Sequence, residues 1–383
     1  LNRPAILAMA GSCTCGSLAL GHVSHGGVSI WYGSAPCSRV VLEITRRRPP
    51  QGVAGSDRGY DDEQDEHTMT RDAQGTILVA PHHFPDLDRE QALAAEFGYT
   101  LKPAADTEAF REALPEADIV MITPYAKLTA SDFPSMTKCR AVIRYGIGYD
   151  NIDVAAATEA GIPVSIVPGT ASEEVASHAF AMGLALARRL PAGNAAINNL
   201  GWAGTIGYDT PVLSELEVGV LGMGRIGQHV ARMYAAVGAR VRAYDPFVTD
   251  SFVDMAGLET ILGNSDVVSL HLPLNEDTAN LISTDVLAAM RKGTVIVNVS
   301  RGGLIDEVAL AGALSSGHIA GAGIDTFAQE PLGADHPLRS APNAILTPHI
   351  AWRSNRSTGA LQDGAVERVR LALTGQPLID LVN

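Results

Sequence analysis

The chain has 383 residues, enough for two ordinary domains, and 46% of them are hydrophobic, enough for packed cores. A formal charge of −14 argues against a nucleic-acid partner, which needs clustered Lys and Arg for phosphate, and against docking on an anionic membrane surface. No apolar run approaches the roughly 20 residues of a membrane-spanning helix.

The first seventy residues differ from everything downstream. Residues 16–33 are rich in Gly and Ser, a basic Arg46-Arg47-Arg48-Pro49-Pro50 follows, and then the acidic run Asp61-Asp62-Glu63-Gln64-Asp65-Glu66. No amphipathic period persists, so residues 1–70 are expected to be a disordered or non-native extension. Pro4 to Ala10 is mildly apolar but short and lacks a cleavage context, so export is not expected. The chain opens with Leu, and Met69 is the last Met before the first regular strand, which makes it the expected start of the functional protein. Cys13, Cys15 and Cys37 lie in this stretch and Cys139 stands alone downstream. That spacing fits reduced thiols in a cytoplasmic protein and no metal site.

From residue 75 the pattern becomes regular. Thr76–Ala80 reads as a buried strand, and Glu90–Phe97 as a helix ended by Gly98. Ala117–Ile122, Ala141–Arg144 and Ile162–Ile166 read as further strands. Short apolar runs alternating with helices indicate parallel sheets with crossover helices. Ser172–Leu190 predicts a strong helix, with Ser172 as cap, Glu173 and Glu174 at its positive end, Arg188 and Arg189 at its negative end, and Pro191 as the stop. It is apolar around most of its circumference, which suits either core or a subunit interface. A second strand and helix series runs from Glu217 to about Thr347, so two doubly wound units are expected, and 360–373 predicts a last helix able to return to the first unit.

Leu216–Leu221 is a short apolar strand followed directly by Gly222-Met223-Gly224-Arg225-Ile226-Gly227. With 38 Gly in 383 residues, about 0.4 G-x-G-x-x-G matches arise by chance, so context must carry the motif. It does: a helix pattern spans Gln228–Val237, and the strand Arg240–Tyr244 then ends in Asp245. Gly222 suits a tight turn, Gly224 lets backbone approach a pyrophosphate, and Gly227 allows close helix packing. The helix N-terminus offers amides and a positive dipole end to phosphate, and Arg225 reaches the same phosphates or lies solvated on the surface. Asp245 suits ribose hydroxyls and opposes a 2′-phosphate, and Pro246-Phe247 brings no cation, so NAD is favoured over NADP.

Three polar residues follow apolar strands in the second unit. Thr294–Val299 leads to Arg301, Ile319–Asp325 leads to Glu330, and Ala344–Pro348 leads to His349. In open parallel sheets ligands bind beyond the carboxyl ends of strands, so these three can converge. Hydride arriving at a 2-oxo carbon generates an alkoxide that needs a proton and electrostatic stabilisation. His349 can act as acid and base, Glu330 can orient the imidazole and stabilise its positive form, and Arg301 can bind a substrate carboxylate and polarise the carbonyl.

With these residues in place, 75–383 resembles the D-isomer-specific 2-hydroxyacid dehydrogenase family. The matching stretches are Arg144 to Asp153 (RYGIGYDNID), the Gly222–Gly227 loop, His271-Leu272-Pro273-Leu274, Asn298 to Glu307, Gly323 to Pro331, and Leu346-Thr347-Pro348-His349. The resemblance implies Arg301, Glu330 and His349 as the catalytic set, and substrate carboxylate binding by the Ile147 and Gly148 amides; Tyr125, with Lys127, Trp352 and Arg353, is expected to shape the pocket. It implies that Ile226, Pro273, Thr278, Val299 and Asp325 line NAD together with Gly222, Gly224, Arg225, Gly227 and Asp245. It also implies a flavodoxin-like substrate domain (75–171 plus 352–383), a Rossmann NAD-binding domain (172–351), and a homodimer made through the latter.

The match has departures. Tyr125–Thr129 lacks the Arg pair of phosphoglycerate-type members, which weighs against a phosphorylated substrate. No further domain is expected after Asn383, unlike the long serine-pathway form, and Glu330 in place of Gln separates the chain from formate dehydrogenases. Arg144-Tyr145, Glu173-Glu174-Val175 and Ala351-Trp352 resemble the branch that includes C-terminal-binding-protein corepressors, although Thr170-Ala171-Ser172 departs from it. The expected function is therefore NAD-dependent oxidoreduction of a small 2-hydroxy or 2-oxo acid. The alternative is an NADH-sensing, corepressor-like binding protein on the same fold.

Overall fold

The computed structural model describes residues 21–25, 28–32, 74–207 and 210–383. Gly21–His25 (β1) and Val28–Tyr32 (β2) form an antiparallel pair, in a stretch where the sequence suggested no regular element. The remaining expectations for the first seventy residues, including the three cysteines and Met69, lie outside the described residues.

The next five strands are β3 (Thr76–Val79), β4 (Thr100–Pro103), β5 (Ile119–Ile122), β6 (Ala141–Arg144) and β7 (Val164–Ile166). They form one parallel sheet in the order β4-β3-β5-β6-β7, the doubly wound order of a flavodoxin-like fold. Helices α1 (Asp88–Phe97), α2 (Thr107–Ala113) and α3 (Val154–Glu159) make crossovers. Their ends follow local chemistry. Gly98 closes α1 in the left-handed conformation, while Asp106 and Asp153 cap α2 and α3 by accepting from backbone amides. Strand β4 is not evident in the sequence because Thr-Leu-Lys-Pro is a largely exposed edge strand without an apolar run.

Between the sheets lie α4 (Ser172–Ala187) and α5 (Leu190–Asn198). Here the structure corrects the sequence twice. Ala171, not Ser172, is the α4 cap and makes no side-chain cap bond. Pro191 does not end the helix but sits in the first turn of α5, after the chain breaks at Arg189 with φ of 54°. Proline at a first turn lacks only an N–H that would have no helical partner, so it starts a helix as readily as it stops one.

The second sheet comprises β8 (Glu217–Leu221), β9 (Arg240–Tyr244), β10 (Asp254–Met255), β11 (Val267–Leu270), β12 (Val295–Asn298), β13 (Gly321–Ile324) and β14 (Ala344–Leu346). All pairs are parallel, in the order β10-β9-β8-β11-β12-β13-β14. This is the Rossmann order with one strand added, and its direction reverses between β8 and β11. Helices α6 (Arg225–Ala236), α7 (Leu258–Asn264), α8 (Thr284–Ala289) and α9 (Glu307–Ser315) cross over it. The strands β11, β12 and β13 are buried along their whole length, as a sheet covered on both faces requires. The last helix, α10 (Ser357–Thr374), returns to pack on α1 and β6 of the first sheet. Among the described residues no helix is long and apolar enough to cross a membrane.

One face of α4 (Ala176, Ala179, Met182, Gly183, Leu186, Ala187) is buried against α6 and strands β11 to β13. The contact is close enough that a Cβ on Gly183 would lie 2.1 Å from the Tyr234 hydroxyl. Gly183→Ala should therefore cost about 2 kcal/mol by overpacking, outweighing alanine's helix propensity of about 1 kcal/mol. Adding Tyr234→Phe should recover most of the loss. Urea unfolding of the single and double variants checks this, and an unchanged Gly183→Ala midpoint would show that the helices part freely.

Candidate active site

Every residue singled out for chemistry stands beyond the carboxyl end of a strand. The Gly222–Gly227 loop leaves β8 at the reversal point of the second sheet, and Asp245 follows β9. Gly222 has φ of +96°, and a Cβ there would lie 2.5 Å from the His271 carbonyl oxygen, so only glycine makes this turn. Around Gly224, by contrast, an added Cβ would meet nothing within 4 Å. The start of α6 carries no side-chain cap, so no side chain competes for its first amides. Asp245 accepts from the Met223 amide (2.8 Å) and the Phe247 amide (2.8 Å), which ties the loop to β9 and leaves carboxylate lone pairs outward. An open backbone cradle, an uncapped helix start and an adjacent carboxylate together fit a dinucleotide's pyrophosphate and ribose.

The other cofactor-side residues are distributed around this loop. Arg225 is exposed and its guanidinium reaches over Gly169, where a Cβ would lie 3.1 Å from Nη1. Ile226 is half-buried against the core. The Thr278 hydroxyl donates to the Pro273 carbonyl at 2.6 Å, so it holds its own turn. Val299 is buried at the end of β12. Asp325 is wholly buried, and its carboxylate is engaged by protein. It accepts from the Thr347 hydroxyl (2.5 Å) and from the amides of Ile350 (2.9 Å) and Ala351 (2.9 Å).

That network carries His349. The Asp325 carbonyl accepts the His349 amide at 2.8 Å, Trp352 Nε1 donates to the His349 carbonyl, and His349 sits at φ of 53°. A left-handed conformation is costly for a residue with a Cβ and persists only where neighbours over-determine it. The imidazole Nδ1 donates to Glu330 Oε2 at 2.8 Å, and Oε1 of the same carboxylate accepts the Phe327 amide. Because Nδ1 is committed, Nε2 is the nitrogen left to face a ligand. Burial raises the affinity of Glu330 for a proton. Hydrogen bonding and charge from His349, the Phe327 amide and Arg301 outweigh it and hold Glu330 below the ordinary carboxylate range.

Arg301 approaches from β12. Its Nε donates to Asp150 Oδ1 at 2.7 Å and Nη1 to the Ser300 carbonyl. Close packing places it: a Cβ on Gly148 would lie 1.4 Å from Nη2, and one on Gly302 would lie 1.9 Å from the Phe327 backbone. The motif between Arg144 and Asp153 thus divides its labour. Asn151 donates to the carbonyls of Thr123 and Ala126, Asp153 caps α3, and Asp150 fixes Arg301. The amides of Ile147 and Gly148 donate to no acceptor among the described residues. Tyr125 is exposed at the end of β5, with its ring edge-on to His83 at 4.6 Å.

Three participants were not singled out as site residues from the sequence. Arg144 ends β6, is buried, and has an Nε without a partner. Burial, and after it the charge of Arg301, pushes its pKa down to about 10 against the pull of Asp150 and Tyr125. A charged residue closing the otherwise apolar Ala-Val-Ile run was its visible signal. Asp150 carried none beyond its motif. The third is His178 of α4, whose Nε2 lies 3.0 Å from the Thr347 hydroxyl, a lone histidine on a mostly apolar helix.

Residues 180–351 match the family described as D-isomer specific 2-hydroxyacid dehydrogenase, NAD binding domain. The chain is 38% identical over 267 residues to glyoxylate reductase of Korarchaeum cryptofilum, covering 67% of this chain and 80% of that one. The chain belongs to the D-isomer-specific 2-hydroxyacid dehydrogenase family. It is also 39% identical over 287 residues to D-3-phosphoglycerate dehydrogenase of Mycobacterium tuberculosis, covering 73% of this chain and 53% of that protein. The chain thus spans about half the length of the phosphoglycerate dehydrogenases it matches. In structure it is similar to the NAD-dependent formate dehydrogenase from Staphylococcus aureus solved in complex with NAD, with TM-score 0.74, 28% identity, and coverage of 80% of this chain and 99% of that one.

Asp150 is likewise held below its usual value: burial raises it, but Arg301, its own backbone and Arg144 together prevail. A depressed carboxylate contributes stability that is complete above its unfolded value and is lost as pH falls through the folded value. The melting temperature should therefore begin to decline below about pH 6.5, where the unfolded chain accepts a proton that burial denies to His271 (pushed down to about 3), and drop more steeply below about pH 4 as the carboxylates titrate. Glu330→Gln should soften that drop, and an equally steep fall in this variant would remove Glu330 from the acid response.

Proposed function

We propose that this protein is an NAD-dependent oxidoreductase acting on a small 2-hydroxy or 2-oxo acid, with residues 75–171 plus 352–383 binding substrate and 172–351 binding NAD. One observation carries the reading. His349 is tied through Nδ1 to Glu330 and leaves Nε2 free, at the strand ends that also hold Arg301 and the glycine loop. NAD when bound supplies or accepts the hydride, and Gly222, Gly224, Arg225, Ile226, Gly227, Asp245, Pro273, Thr278 and Val299 are the residues we assign to holding it, while Asp325, buried and engaged by its own loop, shapes the wall beside them. The carboxylate of Asp245 disfavours a 2′-phosphate.

In the reduction direction the substrate carboxylate takes the free amides of Ile147 and Gly148 and one edge of the Arg301 guanidinium. Arg301 also stabilises the oxygen on which negative charge develops. His349 delivers its Nε2 proton to that oxygen, and Glu330 holds the ring's tautomer while charge changes. In oxidation His349 takes the proton back.

Two buried or half-buried arginines, Arg144 and Arg301, are matched by the carboxylates of Asp150 and Glu330, so the pocket holds fixed charges of both signs. Such a polar pocket suits an acid with a further polar group at C3, and exposed Tyr125 is the residue we assign to shaping that end of it. Without an arginine pair at 125–129, a short polar side chain is favoured over a phosphorylated one. NADH consumption with glyoxylate, hydroxypyruvate, phosphohydroxypyruvate, pyruvate and phenylpyruvate tests the proposal. Turnover should be greatest with hydroxypyruvate, and His349→Ala should lower kcat by at least about 100-fold while NADH still binds. NADH binding with no turnover on the panel would overturn the enzyme reading in favour of an NADH-sensing protein.

We also propose a homodimer. Leu190, Ile197, Leu200, Trp202 and Val212 are all large apolar residues exposed on α5 and the segment after it, with Leu200 at 97%. Large apolar side chains exposed together along one segment next to α4 suit a second copy of the chain. Light scattering should give twice the chain mass, and Leu200→Glu with Trp202→Glu should give the monomer. A wild-type protein already monomeric at micromolar concentration would refute this.

A further inference from the structure

Thr347, two residues before His349, has one hydroxyl proton and two polar neighbours. Its oxygen lies 2.5 Å from Asp325 Oδ1 and 3.0 Å from His178 Nε2. A contact that short between a hydroxyl and a carboxylate oxygen needs the proton between them. The hydroxyl therefore donates to Asp325 and can only accept from His178. This sets the tautomer: Nε2 of His178 carries a hydrogen. The same nitrogen lies 3.8 Å from Asp325 Oδ1, so it also faces the carboxylate.

We propose that His178 is a positioning residue for His349, an inference that rests on the acid/base reading of His349. The donated hydrogen bond orients the Thr347 hydroxyl toward Asp325, and Asp325 in turn takes the amides of Ile350 and Ala351 while its carbonyl takes that of His349. The residues on both sides of His349 are thereby pinned to one buried carboxylate. This is the over-determination that a left-handed histidine requires. The anchor is a rigid one: α4 lies along β12 and β13, the strands whose ends deliver Arg301 and Asp325. His178 thus sets the catalytic loop relative to the sheet that carries the other reacting groups. It touches neither substrate nor cofactor in this role.

The test compares His178→Phe, which keeps a ring and loses the donor, with His178→Gln, whose amide nitrogen lies the same number of bonds from the backbone as Nε2. Thr347→Val removes the hydroxyl. His178→Phe and Thr347→Val should each lower kcat about 10- to 100-fold, the scale of a misplaced catalytic group. The substrate KM and the NADH dissociation constant from fluorescence should change less than about threefold, while His178→Gln keeps most of the activity. Since both variants cut one chain of bonds, the double variant should be no slower than the worse single. Full activity in His178→Phe, equal losses in the Phe and Gln variants, or multiplicative losses in the double variant would each overturn the proposal. Should His178→Phe fail to fold, the comparison of Thr347→Val with His178→Gln still decides it. His349→Ala is run in parallel. Its retention of turnover would sink the acid/base reading itself, whereas an inactive His349→Ala beside a fully active His178→Phe sinks only the positioning role.

Discussion

The rest of the site depends on the buried carboxylate of Asp325. A wholly buried charge needs partners on all sides, and here the partners are the Thr347 hydroxyl and the amides of Ile350 and Ala351. Satisfying that charge wraps the 347–351 segment around the end of β13 and holds His349 in a backbone conformation it would not otherwise keep. The electrostatic requirement and the geometric one are met by the same bonds. Solvation of the carboxylate would cost the loop its shape, and distortion of the loop would leave the carboxylate unpaired.

Around this centre the charges are arranged with little redundancy. Glu330 is engaged at both oxygens and keeps the imidazole's Nδ1 side fixed. Asp150 separates Arg301 from Arg144, which otherwise press positive charge on one another. Close packing then replaces flexibility with contact. Gly148 and Gly302 are the places where a guanidinium and a neighbouring loop come so near that no Cβ fits. The acid/base pair we propose and the carboxylate-binding group therefore belong to separate loops that touch through glycine.

Much of the fold was legible in the sequence for simple reasons. Strands covered on both faces are largely apolar runs, so β5, β6 and β12 fall within a residue or two of where the pattern puts them. The glycine loop was readable because its turn demands a residue without a Cβ. Edge strand β4 and the break between α4 and α5 were not, since exposed strands and proline at a first helical turn leave no distinctive local pattern. Within the site, Arg301, Glu330 and His349 were visible because each follows an apolar strand. Arg144, Asp150 and His178 became participants only through partners far along the chain.

By itself the sequence determined the two parallel sheets, the nucleotide-type loop and the residue types at the strand ends, because these follow from periodicity and from the conformational demands of single residues. Tertiary structure alone decided which nitrogen of His349 is free, that Asp325 is turned inward to the loop, and that His178 reaches Thr347 across 169 positions. Those facts depend on distances of about 3 Å between residues far apart in the chain, and hydrogen bonds of that length form only once the sheets have packed.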